Sequence, residues 1–213
     1  MLANINAVVR LIKYKNMLLS LRSMMIKRVF SDNLADAVGV TASQVRKDFS
    51  FFGISGNKRG GYATDELITR INGLLGKDRV QKVIVVGLGN IGQALIRYKG
   101  FEKEGIKIVA GFDVDEEKRD ASGPVPVLPV DKIGSFTREN GVKIAIIAVP
   151  ESSAQAALDL IINTPVEGVL NFAPANLKAR SKCIVHNINV GLELETVIYF
   201  VNAKNRGDLN ASG

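Results

Sequence analysis

The sequence predicts an α/β chain in two parts: a small basic α+β domain, then a doubly wound parallel sheet with helices on both faces. Three observations carry this. The surplus charge lies at one end, because residues 1–80 hold 13 Lys+Arg against 6 Asp+Glu whereas residues 81–213 hold 15 of each. A glycine-rich turn, Gly87-Leu88-Gly89-Asn90-Ile91-Gly92, stands between an apolar strand and a helix. Beyond it, strand-like and helix-like stretches alternate, as parallel strands joined by crossover helices do.

The first domain is expected over residues 1–77. From Ile5 to Ile26, Ile5, Val8, Val9, Ile12, Leu18, Leu19, Leu21 and Met25 recur at helical spacing, with Arg10, Lys13, Lys15 and Arg22 between them. Ser31 then caps a short helix carrying Leu34, Ala35 and Val38, and Gly39 supplies the left-handed residue that ends it. Thr41 and Gln44 have capping-box spacing and open another helix through Val45, Arg46, Lys47, Phe49 and Phe52 to Gly53. Two short helices across a tight turn read as a helix-turn-helix. The second presents Ser43, Gln44, Arg46 and Lys47 to base edges and phosphates while Val45, Phe49 and Phe52 face the core.

Ile54 to Tyr62 reads as a Gly-rich hairpin with Lys58 and Arg59 near its tip, a wing suited to the backbone or minor groove of double-stranded DNA. The domain is therefore a winged helix. The plainer reading, in which Arg46, Lys47, Lys58 and Arg59 only solvate an exposed face, is less favoured because these cations cluster on the two elements a winged helix sets against DNA. A last helix begins near Thr64, carries Asp65 and Glu66 at its positive end and buries Leu67, Ile68, Ile71, Leu74 and Leu75. Gly76-Lys77-Asp78 is the linker.

Residues 78–188 are expected to form a Rossmann domain. Val83 to Val86 is a buried strand running into the glycine turn. There Gly87 permits the bend, Gly89 lets backbone approach a pyrophosphate and Gly92 lets helix and strand pack closely. The phosphates would sit at the positive end of the helix through Ala94, Leu95 and Ile96. A second strand, Ile106 to Phe112, ends in Asp113, 21 residues after Gly92, close to the spacing of about 20 for a carboxylate that holds an adenosine ribose. Such a carboxylate repels a 2′-phosphate, so Asp113 favours NAD(H) over NADP; its bland alternative is a local helix cap. Strand Val142–Val149, helix Ser152–Ile162 and strand Gly168–Leu170 continue the alternation. The loops Ala148-Val149-Pro150 and Asn171-Phe172-Ala173-Pro174 follow strand ends, where such sheets hold ligands.

Other chemistry is thinly represented. Cys183 is the only cysteine and His186 the only histidine, read as a small buried hydrophobe and a turn residue, which leaves neither a disulfide nor a soft metal site. No Ser-x-x-x-Lys or Tyr-x-x-x-Lys set lies beyond the strands to move a proton, and no catalytic residue is assigned. No apolar run reaches the roughly 20 residues of a membrane span, and the basic start lacks a signal peptide's apolar core, so a cytoplasmic protein is expected. In residues 189–203, Leu192, Leu194, Val197, Ile198 and Phe200 are too apolar to leave exposed, which calls for burial either in a partner, as a C-terminal dimerisation helix, or back on their own domain, and residues 204–213 are expected as a flexible tail.

At this level of detail the chain resembles a known family, the redox-sensing repressors of the Rex type. The motifs are Gln44-Val45-Arg46-Lys47-Asp48-Phe49-Ser50-Phe51-Phe52-Gly53, Lys58-Arg59-Gly60-Gly61-Tyr62, Gly87 to Gly92, Tyr98-Lys99-Gly100-Phe101, Gly111-Phe112-Asp113-Val114-Asp115 and Asn171-Phe172-Ala173-Pro174, in the family's order along most of the chain. The resemblance implies a homodimer whose winged helices bind a pseudo-palindromic operator and whose Rossmann domains bind NADH or NAD. It also implies C-terminal helices swapped between subunits, and release of DNA on NADH binding. By the same resemblance Tyr98 and Phe172 lie near the nicotinamide half. Two positions depart from the family: Asn16 stands where an Arg is usual and Asn189 where an Asp is usual, a pair that can form an intersubunit ion pair. Losing both charges together leaves neutral amides and implies weaker redox coupling.

The competing readings are a small NAD-dependent dehydrogenase whose basic end is a substrate or oligomer module, and a repressor that senses another adenine ligand such as coenzyme A.

Overall fold

The computed structural model describes residues 5–56, 60–118, 120, 123–180 and 182–206. Lys58 and Arg59, expected at the wing tip, and residues 207–213 of the expected tail lie outside them. The chain divides into two compact units, Met1–Arg79 and Val80–Gly213.

In the first unit α1 (Ile5–Ser23), β1 (Arg28–Val29), α2 (Ser31–Val38), α3 (Ala42–Phe51), β2 (Tyr62–Ala63) and α4 (Thr64–Leu74) enclose one core. Leu11, Tyr14 and Leu18 of α1 meet Leu34 of α2, Val45 and Phe49 of α3 and Ile71 of α4 there. Ile5, Val9 and Ile12 lie on the other side of α1 and are exposed, so this helix carries a second apolar stripe that its own unit does not cover. Met25, at φ 62°, turns the chain out of α1 toward β1.

Several local expectations are corrected. Ser31 is inside α2; the cap position is Phe30, whose N–H donates to Asn33 Oδ1 at 2.9 Å. Strand β2 pairs antiparallel with β1, Arg28 opposite Ala63 and Val29 opposite Tyr62, rather than with the segment from Ile54. Tyr62–Ala63 thus close on a strand from before the helix-turn-helix, a pairing of distant residues that turn chemistry alone does not reveal. On α4, Leu67, Ile68 and Ile71 are buried, but Leu74 is exposed and Leu75 only half-buried, because they fall at the helix end beyond the core-facing stripe.

The second unit is built on a six-stranded sheet. β3 (Gln81–Val86), β4 (Ile106–Asp113), β5 (Val127–Pro129), β6 (Ile144–Ile147), β7 (Gly168–Asn171) and β8 (Ile184–Asn187) stand in the order β5-β4-β3-β6-β7-β8, all parallel. The crossovers carry α5 (Asn90–Arg97), α6 (Gly100–Lys103), α7 (Ile133–Asn140) and α8 (Glu151–Ile162), and α9 (Val190–Asn205) ends the described chain. Written from the first strand of the sheet, the order is that of a Rossmann fold, with its reversal between β3 and β6. Alternate residues of β3 face opposite cores, Ile84 and Val86 one, Val83 and Val85 the other, which is why the strand reads as an unbroken apolar run.

His186 lies in edge strand β8 and not in a turn, because the chain needs a sixth strand to cover Asn171 and Val169 of β7. Cys183, just before β8, is half-buried against the core, and burial pushes its thiol pKa up. α9 runs to Asn205, past the expected end. Asn189 starts it, its Oδ1 accepting from Leu192 N–H at 3.1 Å.

Candidate nucleic-acid and dinucleotide sites

The reading face of α3 follows from how the helix is anchored. Thr41 Oγ1 accepts the Gln44 N–H at 3.1 Å, fixing the first turn. Val45 and Phe49 are fully buried, and the Phe49 ring meets Tyr14 and Tyr62 edge-on at 5.5 and 5.0 Å. The opposite face therefore turns outward with Ser43, Arg46 and Lys47 exposed. The stem of the wing is held by the Tyr62 ring over Gly56, where a Cβ would come within 2.3 Å of that ring.

Gln44 is less free than its place in the motif implied. Its Nε2 donates to Asp48 Oδ1 at 2.8 Å, instead of its amide returning to close the capping box. Asp48 is 3% exposed and also accepts both Arg10 nitrogens, Nε at 2.6 Å and Nη2 at 2.7 Å, and the Tyr14 hydroxyl at 2.9 Å. Burial alone would raise its pKa, but the hydrogen bonds from Arg10, Gln44 and Tyr14 outweigh it and hold the carboxyl below its ordinary value. The Asp48 hydrogen bond raises the pKa of Arg10, and burial, with Asp48 adding to it, raises that of Tyr14, so both remain donors. Sequence reasoning missed this cluster. Its only local traces are the four-residue spacings Arg10–Tyr14 and Gln44–Asp48; that the pairs meet is tertiary.

In the second unit each glycine of the turn has a separate steric task. Gly87 adopts φ 92°, and a Cβ there would lie 2.5 Å from Val149 Cγ1. A Cβ on Gly92 would lie 1.9 Å from Gly87 O, so α5 touches the turn backbone. Gly89 has nothing within 4 Å, and it is exposed together with Asn90 and Ile91. Gly89 is followed by an α5 whose first turn has no side-chain cap, so its first backbone N–H groups have no intrahelical partner. Leu88 differs from its neighbours: its side chain is buried and its N–H is already taken.

Asp113 takes it. The carboxylate, 6% exposed at the end of β4, accepts Leu88 N–H at Oδ2 (2.6 Å) and Asp115 N–H at Oδ1 (2.9 Å), with Lys118 Nζ at 3.5 Å. Burial opposes its ionisation, but the hydrogen bonds from Asp115 and Leu88 and the Lys118 charge prevail and lower its pKa. The Asp115 bond is a local turn contact and not a helix cap, since the short helix that follows starts only at Glu116 and it is Asp115 Oδ1 that accepts the Glu117 N–H, while the bond to Leu88 ties the end of β4 to the glycine turn.

Two further walls complete the sheet's carboxyl edge. Tyr98 closes α5, 61% exposed, its ring edge-on to Phe101 at 5.0 Å. Phe172 follows β7, half-buried, its N–H donating to Ile147 O at 2.8 Å. The Phe172 loop is pinned by the first residue of its motif, whose bonding the sequence did not reveal. Fully buried Asn171 donates to Ala175 O at 2.7 Å and Asn187 Oδ1 at 2.9 Å and accepts from Ala173 N–H at 3.0 Å. Among the described residues no group of three or more His, Cys, Asp or Glu could hold a metal ion, and no helix is long and apolar enough to cross a membrane.

Comparison with known proteins finds matches for both parts of the chain. Residues 78–175 match the family described as "CoA binding domain", and residues 6–50 match the one described as "Putative DNA-binding protein N-terminus". The chain is 38% identical over 176 residues to a protein of Listeria welshimeri named redox-sensing transcriptional repressor Rex, with 82% of each chain covered. The crystal structure of RSP in complex with β-NAD+ and operator DNA matches with a TM-score of 0.89 at 30% identity, covering 98% of this chain and 96% of that one. RSP in complex with β-NADH matches at 0.84 and 31% identity, covering 98% of each.

Proposed function

The chain belongs to the Rex family of redox-sensing transcriptional repressors, and on that premise we propose that it binds operator DNA and NAD(H) and lets the dinucleotide govern its grip on the DNA. One observation carries the reading: a single solved repressor, which holds both β-NAD+ and operator DNA, matches 98% of this chain. Ser43, Gln44, Arg46 and Lys47 on α3 meet the operator, with Lys58 and Arg59 on the wing. Gly87, Leu88, Gly89, Asn90, Ile91 and Gly92 form the cofactor turn, Leu88 through its backbone. Asp113 positions that turn and faces the adenosine ribose, and Tyr98 and Phe172 flank the nicotinamide half.

The protein works as a homodimer on a pseudo-palindromic operator in the cytoplasm. The swapped C-terminal helix has direct support in exposure. Val190, Leu192, Leu194, Val197, Ile198, Tyr199, Phe200 and Val201 are each more than half exposed and surround α9, and the stripe Ile5, Val9 and Ile12 on α1 is bare as well. Insertion of α9 into a second copy covers its apolar surface. The dinucleotide is a signal and is not consumed, which accords with the lack of a proton-moving motif beyond the strand ends. NADH weakens operator binding by favouring the DNA-releasing arrangement. Asn16 and Asn189 supply no ion pair between subunits, and Asn189 is engaged in capping α9, so the switch is weaker than one built on charges.

The match of residues 78–175 to a CoA-binding family favours a second ligand, coenzyme A. Asp113 argues against it, since a carboxylate at the adenosine ribose repels a ribose phosphate. Equilibrium binding of NADH, NAD, NADPH and coenzyme A to the purified protein tests the proposal. Tight binding of NADH with none of coenzyme A supports it; preference for coenzyme A, or catalytic turnover of NADH with a metabolite, overturns it.

A further inference from the structure

The Gln44 amide has one chemically sensible orientation. Its Nε2 donates to Asp48 Oδ1 one turn further along α3. That carboxylate is buried against the Arg10 guanidinium and the Tyr14 hydroxyl, so it is ionised and can only accept. Flipping the amide would set Oε1 against a carboxylate oxygen and exchange a charge-assisted hydrogen bond for a repulsion. Oε1 must therefore turn away from Asp48, and no hydrogen bond to it occurs among the described residues. A glutamine with free rotation about its last bond offers a base either its donor or its acceptor end. This one leads with its acceptor.

We propose that Gln44 is a specificity-determining residue of α3 and reads an exocyclic amino group in the major groove, adenine N6 or cytosine N4, through its outward carbonyl oxygen. The proposal rests on the operator-binding reading above. Guanine and thymine present N7, O6 or O4 at the same edge, all acceptors, and would meet Oε1 lone pair to lone pair. Adenine also uses the remaining Nε2 hydrogen at its N7, whereas cytosine uses the carbonyl alone. The neighbouring Arg46 and Lys47 offer only donors, suited to guanine and phosphate, so Gln44 adds an acceptor among cations. Arg10 and Asp48 are positioning residues that keep the amide from flipping.

The test is a set of operator duplexes in which each half-site adenine is replaced in turn by a purine lacking the 6-amino group, and each cytosine by a pyrimidinone lacking the 4-amino group. Affinities are measured for the wild type, Gln44→Leu and Asp48→Asn, with circular-dichroism melts as the check on folding. In the wild type, deleting one amino group per half-site should cost about fivefold or more. Whether it belongs to adenine or cytosine identifies the base. That cost should vanish in Gln44→Leu and shrink in Asp48→Asn while preferences at the other positions persist, a selectivity that general loosening of α3 would not produce. If the wild type discriminates among sequences but Gln44→Leu has the same base-by-base profile, or the position lost is a guanine, the assignment of Gln44 is overturned and the repressor reading stands. If the wild type shows no sequence selectivity at all, the repressor reading falls with it, and the wild-type arm alone reveals this.

Discussion

Gly89 and Gly92 lie three residues apart in one motif, and the structure separates their tasks. A methyl on Gly92 must push against Gly87 O, whereas a methyl on Gly89 enters open space. Gly92→Ala should therefore lower both thermal stability and NADH affinity, but Gly89→Ala should keep the melting temperature and lose affinity by about tenfold, the equivalent of about 1.4 kcal/mol. Calorimetric melts and fluorescence titration with NADH separate the two cases; unchanged NADH affinity in Gly89→Ala would mean the turn does not approach a ligand there. The two buried carboxylates give a pH signature. Asp48 and Asp113 have pKa values below their ordinary ones, so the stability they add is complete above the ordinary carboxylate range and is lost as pH falls through the lowered values. Acid unfolding should begin below about pH 4, and Asp48→Asn should flatten that pH dependence in the first unit. Arg10→Ala, which leaves Asp48 buried with one charge partner fewer, should cost about 3 kcal/mol in denaturant melts.

At the scale of elements, periodicity located nearly every helix and the central strands, because an apolar run beside Gly87 or a cap such as Thr41 is a local signal. What stayed hidden was non-local. The pairing of Arg28–Val29 with Tyr62–Ala63 joins short strands on either side of the helix-turn-helix, and β5, α7 and the strand role of His186 depend on neighbours supplied by the rest of the sheet. The candidate site divides in the same way. The glycine turn and Asp113 were legible from spacing, whereas the Asp48 and Asn171 clusters were not, since each is assembled from residues whose sequence neighbours give no hint of the contact. α9 provides the test at this scale. Phe200→Glu places a charge on a helix with no apolar surface to spare, and sedimentation should show loss of the dimer, with operator affinity falling as the second half-site contact is lost. A dimer that survives this change would mean α9 docks elsewhere.

For the whole molecule, the two units divide the labour. Arg46→Glu should abolish operator binding and spare NADH binding, and Asp113→Ala should weaken NADH binding and spare operator binding in its absence; loss of both functions in either variant would show that the units do not act separately. Operator affinity should also fall steeply as salt rises, because cations that neutralise phosphates release counterions. Coupling of dinucleotide to DNA is read out by operator affinity measured at fixed ionic strength with no dinucleotide, with saturating NAD and with saturating NADH, in the wild type and in the double variant Asn16→Arg/Asn189→Asp. Coupling of this kind commonly spans about 5- to 150-fold. NADH should weaken wild-type binding by an amount near the lower end, and the double variant, with both charges restored, should respond more strongly. An operator affinity indifferent to NADH in both proteins would contradict this coupling.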